Sequence, residues 1–286
     1  MYNFKRNSKL YLVYEGLKYK LEIYPDLSMS QTFNEQGVPR KTLHDQTALH
    51  EHAVIVKANA ASFSFTVPFF DQSTIQKELE LSTSYTNGVA PYFDLYIQSD
   101  NIIYKIEKAV FETTTFNLSR NSPITVSLSG SGSKITQVTS IPGVLQNTPT
   151  REYTRVSSLE VGINNTTLSS VTNINIEVDN DIAWTKNDTL DQSLAGNIIF
   201  PANFVLSGRE VKGSVTHFVT SDNKSELVNT STSATLLLKV NSTLLQFNLP
   251  SVVFTRRDDM NDLIVRTYDF RLNTNSQSIK PIYKGV

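Results

Sequence analysis

Three groups of side chains in this sequence have the types and spacing to do chemistry. His44, His50 and His52 lie close to Asp45 and Glu51, and a His-x-His pair can ligate zinc or iron. The competing assignment is a polar hairpin arm whose side chains face solvent or a neighbouring chain. Asp179, Asp181, Asp188 and Asp191 gather around Trp184. Paired carboxylates serve acid–base catalysis or calcium binding. The segment has no glycine at the loop position and no glutamate at the twelfth, so the calcium-loop pattern fails, and a solvated hairpin accounts for the cluster more simply. Arg256-Arg257-Asp258-Asp259 is either a charged turn, worth little at a surface, or a patch that pairs with its own copy across an interface. No phosphate-binding glycine loop, nucleophile elbow or zinc-protease motif is present. Nothing in the chain points to an enzyme, and no cofactor is expected.

The elements that position these residues are strands. Leu236, Leu238 and Val240 alternate with Leu237, Lys239 and Asn241, a turn follows at Asn241-Ser242-Thr243, and Leu245, Phe247 and Leu249 alternate again before Pro250–Phe254. Period-two alternation marks strands with one buried face. The same pattern occurs earlier: Phe93, Leu95 and Ile97, a turn at Ser99-Asp100-Asn101, then Ile102, Tyr104, Ile106 and Phe111. Apolar positions in the two stretches match at a shift of 143 residues, half of the 286 in the chain. Ser8–Leu12 and Ser157–Val161 match at 149. Agreement in order across several segments predicts one fold unit used twice. The expected division is a first β domain over 1–133, a linker over 134–152, and a second β domain over 153–286. One short helix is expected per unit, over 71–81 with Ser73 and Gln76 at capping-box spacing, and over Ser221–Val228. The fold class is therefore all-β, two tandem sandwiches with one short helix each.

Composition sets the outer limits. A hydrophobic content of 39% supports packed cores, and a net charge of −1 gives no sign of tight phosphate binding. There are no cysteines, which excludes disulfides and thiolate metal sites. The first residues carry charge without an apolar stretch behind them, and no apolar run approaches the roughly 20 residues of a membrane helix. A soluble protein made in the cytoplasm, with no membrane partner, is expected.

The second unit resembles a bacteriophage tail tube protein. The resemblance rests on Ile174–Val178 with Trp184, on Gly208-Arg209-Glu210-Val211-Lys212-Gly213-Ser214-Val215, on Leu236–Val240 with Leu249-Pro250-Ser251-Val252-Val253-Phe254, and on Leu263–Leu272 with Tyr268-Asp269-Phe270. It covers about 170–272 directly and 8–128 through the repeat. It implies a structural virion protein whose sheets join between subunits into a β-barrel, in stacked rings around a channel for double-stranded DNA. Other tail proteins (sheath, tape measure, baseplate) are implied partners. Two units per chain predict a trimer with pseudo-sixfold symmetry, with a hexamer as the alternative. Met29–Val56 and Val178–Phe200 are the expected extended hairpins. Arg256, Arg257, Asp258, Asp259, His44, Asp45 and Asp191 are the candidate contacts between subunits. A ring at the baseplate or tail tip, or a carbohydrate-binding module, is the alternative function; a single Trp argues against the last.

Overall fold

The fold comes from a computed structural model, which describes residues 8–40, 49–71, 76–84, 89–146, 152–164, 166–185, 200–221, 223, 232–241, 244–260, 263–273 and 282–283. The first half runs β1 (Lys9–Tyr14), β2 (Leu17–Leu21), β3 (Ser28–Ser30), β4 (Phe33–Arg40), β5 (Leu49–Ala58), β6 (Ala61–Pro68), β7 (Phe70–Asp71), α1 (Lys77–Thr83), β8 (Phe93–Ser99), β9 (Ile102–Ser119), β10 (Thr125–Gly132) and β11 (Ile135–Val138). Two short strands follow, β12 (Val144–Leu145) and β13 (Glu152–Tyr153). The second half runs β14 (Leu159–Ile163), β15 (Thr166–Leu168), β16 (Val171–Thr185), β17 (Asn203–Phe218), β18 (Ala234–Val240), β19 (Leu245–Met260), β20 (Ile264–Leu272) and β21 (Ile282–Tyr283).

Pairings in the first half recur in the second. β1 pairs β2 and β8, and β14 pairs β15 and β18. The hairpin β8–β9 has its counterpart in β18–β19, and both carry a bulge at the same step, between Phe93 and Leu95 and between Ala234 and Leu236. The order β3–β6–β10–β9 matches β16–β17–β20–β19, strand for strand and all antiparallel. The return strands β11 and β21 pair the near ends of β9 and β19.

Register corrects the shift read from the sequence. Leu95 faces Ile106 as Leu236 faces Leu249. Ile106 and Leu249 differ by 143, but Leu95 and Leu236 differ by 141. The turn before β19 is two residues longer than the one before β9. Leu12 pairs Leu95 and Ile163 pairs Leu236, so β1 and β14 match at 151, not at 149. All these slips are even, so the buried face is preserved.

Alternation decides which side chains go inside. Phe63, Phe65 and Val67 of β6 are buried between Ser62, Ser64 and Thr66, and Ile174, Ile176 and Val178 of β16 between polar neighbours. Buried apolar groups from both halves form one cluster. The long strands β9 and β19 bend so that their first parts pair in one layer and their second parts in the other. The sheet is thus folded over its own core. Among the described residues it is one 17-stranded sheet with two small satellites, β4–β5 and β7–β13, and it does not close into a barrel within one chain.

The helix starts later than the capping-box spacing predicts, at Lys77, and ends at Thr83. Gln76 does not cap it with its side chain. That side chain is buried and ties down the strand before it: its Oε1 accepts from the Phe70 N–H at 2.9 Å and its Nε2 donates to the Pro68 carbonyl at 3.0 Å. The cap expected from Ser73, and most of the second helix, fall outside the described residues.

Both expected hairpins contain antiparallel pairs, β4 with β5 and the far part of β16 with the near part of β17. Their connections, and with them His44, Asp45, Asp188 and Asp191, lie outside the described residues.

Candidate functional site

The alternation that buries one face of the folded-over sheet leaves the other polar. Eight strands lie side by side in the order β3–β6–β10–β9–β16–β17–β20–β19. Residues directly opposite one another form rows across it. One row is Ser28, Ser64, Ser129, Thr113, Asp179, Glu210. The next is Thr66, Ser127, Thr115, Glu177, Lys212, Arg271, ending on β19 at the exposed apolar Val253. A third is Asn117, Asn175, Ser214, Asp269, Thr255. Hydroxyl and amide groups bond across the strands: Ser30 with Ser62 at 2.8 Å, Thr66 with Ser127 at 3.2 Å, Asn175 to Asn117 at 2.8 Å, Thr216 with Thr267 at 3.2 Å. Such pairs each add a few tenths of a kcal/mol, roughly 0.2–1.

The seam between the halves is the β9–β16 pairing, with Ile174 opposite Leu118, Ile176 opposite Phe116 and Val178 opposite Thr114. Those six side chains are buried. On the polar side, Thr113 Oγ1 donates to Asp179 at 3.1 Å and Ser119 to Asn173 at 2.7 Å. Beside it Lys212 lies 3.1 Å from Glu177 and 3.6 Å from Glu210, which Arg271 approaches at 2.6 Å. Glu177 above all holds the Lys212 ammonium more firmly protonated than usual.

The acidic cluster expected around Trp184 is partly rearranged. Asp179 and Asp181 face neighbours on the sheet, Asp181 accepting from the Ser207 hydroxyl at 2.5 Å. The Trp184 indole donates instead to Ser131 Oγ at 2.7 Å, and the Ser131 hydroxyl donates to the Glu112 carboxylate. Glu112 is the extra residue of a bulge, where β10 steps from Thr113 to Phe111. Burial pushes its carboxyl above the usual range; Asp179 and Asp181 push the same way, against the lowering effect of the Ser131 hydroxyl. The folded chain therefore holds this proton more tightly than the unfolded one. The stability Glu112 contributes is fully present below the unfolded carboxylate value of about 4.3 and is lost as pH rises through the raised folded value. The variant E112Q should consequently gain stability over the parent across that window and keep the gain above it. Thermal melts from acid to mildly alkaline pH check this; curves that stay parallel would refute it.

Glu112 was missed in the sequence, although a signal existed. Ala109 and Phe111 are buried, then Thr114, Phe116 and Leu118: the phase flips at one residue, which is the mark of a bulge. The Arg256–Asp259 group sits at the far end of β19, on strand rather than turn. Its ion pairs lie within the chain, Arg256 with Asp258 at 3.4 Å, Arg257 with Asp259 at 3.4 Å, and Arg266 with Asp258 at 2.9 Å.

Both ends of the eight-strand run are open among the described residues. β3 pairs only β6, and β19 beyond Val252 pairs only β20. A sheet edge of this kind is a template for further strand pairing.

A family model for the bacteriophage baseplate tube proteins matches residues 1–285. No curated protein matches the chain.

Proposed function

The chain belongs to the bacteriophage baseplate tube protein family, and from that membership we propose that it forms a ring of the tube wall, three chains to a ring, with the polar face turned to the channel. Family membership makes it a structural component of the phage tail, located in the virion. The family's description favours the baseplate end of the tube over its length.

The observation that carries the proposal is a largely polar face across eight strands, broken at Val253 opposite Arg271, with both edges open among the described residues. Hydroxyl and amide side chains suit a wall that stays wet. Its charges are mixed, with Glu177, Asp179, Glu210 and Asp269 against Lys212 and Arg271. Such a wall offers DNA few of the phosphate contacts that would hold it in place. The matching order β3–β6–β10–β9 and β16–β17–β20–β19 supports a tandem duplication, with a boundary in the passage over 134–152. Both halves contribute to one run, which favours three two-unit chains over six chains that each expose a single unit. Three copies would give about 24 strands, and at about 4.8 Å spacing and about 40° tilt the backbone wall would be roughly 48 Å across.

Imaging of the purified protein, or of baseplates containing it, tests this. Rings with three chains each are expected; six chains per ring would overturn the trimer, and a protein that stays monomeric at high concentration would overturn the ring.

A further inference from the structure

The seam inside the chain specifies how two chains meet. We infer that the open edge of β19, Thr255–Met260, pairs antiparallel with the open edge at β3, Leu27–Thr32, of a second copy, with Met260 opposite Leu27, Asp258 opposite Met29 and Arg256 opposite Gln31. The inference rests on the ring proposal and goes beyond it by naming the edges and the register.

The register follows from two equivalences. Phe63 lies opposite Gly130 on one side and Met29 on the other; Gly213 lies opposite Phe270 and Ile176. Met29 therefore stands where Ile176 stands. Phe111 lies opposite Gly130 as Phe254 lies opposite Phe270. Past Phe111 the first half has one extra residue, Glu112, so Phe116 corresponds to Asp258 and Leu118 to Met260. Within the chain Ile176 faces Phe116 and Ile174 faces Leu118. The same relation between copies puts Met29 opposite Asp258 and Leu27 opposite Met260.

Exposure points to the same edge. Leu118 is fully buried by the seam, while its counterpart Met260 is 78% exposed, with Leu263 at 62% and Ile264 at 43% beside it. Exposed apolar groups gathered at an unpaired edge mark a surface that is covered in the assembly. Phe116 packs edge-on against Phe247 at 5.1 Å. By the matched β19 and β9 registers Phe247 corresponds to Tyr104, so Asp258 would meet the second copy's Tyr104, a carboxylate facing a phenol in place of two rings. The contact is heterologous, one edge to a different edge, and can close only as a ring or continue as a filament.

The absence of native cysteines makes the register directly testable. Two double variants, S30C with R257C and M29C with D258C, place a pair on adjacent rungs, one of which has the closely spaced side chains that a disulfide needs. S28C with R257C is offset by two residues and serves as the control. In full-length protein concentrated until it assembles, oxidation should give a covalent ladder on non-reducing gels. At least one in-register pair should yield about tenfold more product than the control. A ladder closing at three supports both proposals; one running to six supports the edge pairing and overturns the trimer. Cross-linking by the control instead of the in-register pairs overturns the register. Rings without cross-links from either in-register pair overturn the edge assignment while leaving the ring standing. Neither rings nor cross-links would overturn both.

Discussion

Adding one methyl group at Gly130 or Gly213 is expected to cost about 3 kcal/mol or more of folding stability, at the upper end of what overpacking costs. A Cβ on Gly130 would lie 2.1 Å from the Val110 carbonyl oxygen and 2.6 Å from the Phe63 ring; one on Gly213 would lie 2.1 Å from the Asn175 oxygen and 2.5 Å from the Phe270 ring. Neither glycine has a backbone conformation that demands glycine, so the reason is room. Each lies under the phenylalanine of the paired strand, and the two halves use the device in mirrored fashion. In the first half the glycine is on β10 and the ring on β6; in the second the ring is on β20 and the glycine on β17. Trimming the ring should not rescue either variant, because the nearest obstacle is a backbone carbonyl. Gly208 is the control: a Cβ there would meet only the Asp181 Cβ at 3.8 Å. G208A should be neutral or slightly stabilising, within about 1 kcal/mol. Urea unfolding midpoints of G130A, G213A and G208A decide the matter. Midpoints for the first two that match the parent would mean that the sheet does not pack in this register.

Much of the fold is written in local alternation, and this is why the hairpins β8–β9 and β18–β19 are legible in the sequence alone. The hydrophobic face of a strand repeats every second residue, so Phe93–Ile97 and Leu236–Val240 declare themselves. The same periodicity hides even slips. A turn longer by two residues moves every partner and leaves the apolar matches intact, so 143 passes for 141. Which edge a strand offers to which neighbour leaves no periodic trace at all. The β9–β16 seam joins residues more than fifty positions apart and could be seen only in the fold, as could the cover that Trp184 and Ser131 place over Glu112. The acidic cluster looked coherent because its members are close in sequence. On a strand such proximity places Asp179 and Asp181 along one face, each beside a different partner on the neighbouring strands.

Truncating Phe116 to alanine should cost about 3–5 kcal/mol, whereas the same change at its counterpart Asp258 should cost the isolated chain less, about 1–3 kcal/mol. Phe116 is fully buried at the seam, faces Ile176 across the strands and sets its ring against Phe247 of the second half. Deleting it removes a large apolar surface and leaves a cavity between two layers that cannot easily close around it. The loss falls on the contact that joins the halves, so amide exchange along β16 from Asn173 to Asp179 should rise more than exchange in β1 and β8. Asp258 is partly exposed on an unpaired edge and, among the described residues, pairs with Arg256 and with the buried Arg266. Removing Asp258 takes a carboxylate away from the buried Arg266 guanidinium, which costs about 1–3 kcal/mol, still below the loss of the Phe116 ring. Denaturant titration of F116A and D258A, with hydrogen exchange on the first, separates a packed seam from a mere contact. If F116A unfolds within about 1 kcal/mol of the parent, the halves are not held together by this strand pair, and the seam loses its standing as the pattern for contacts between chains.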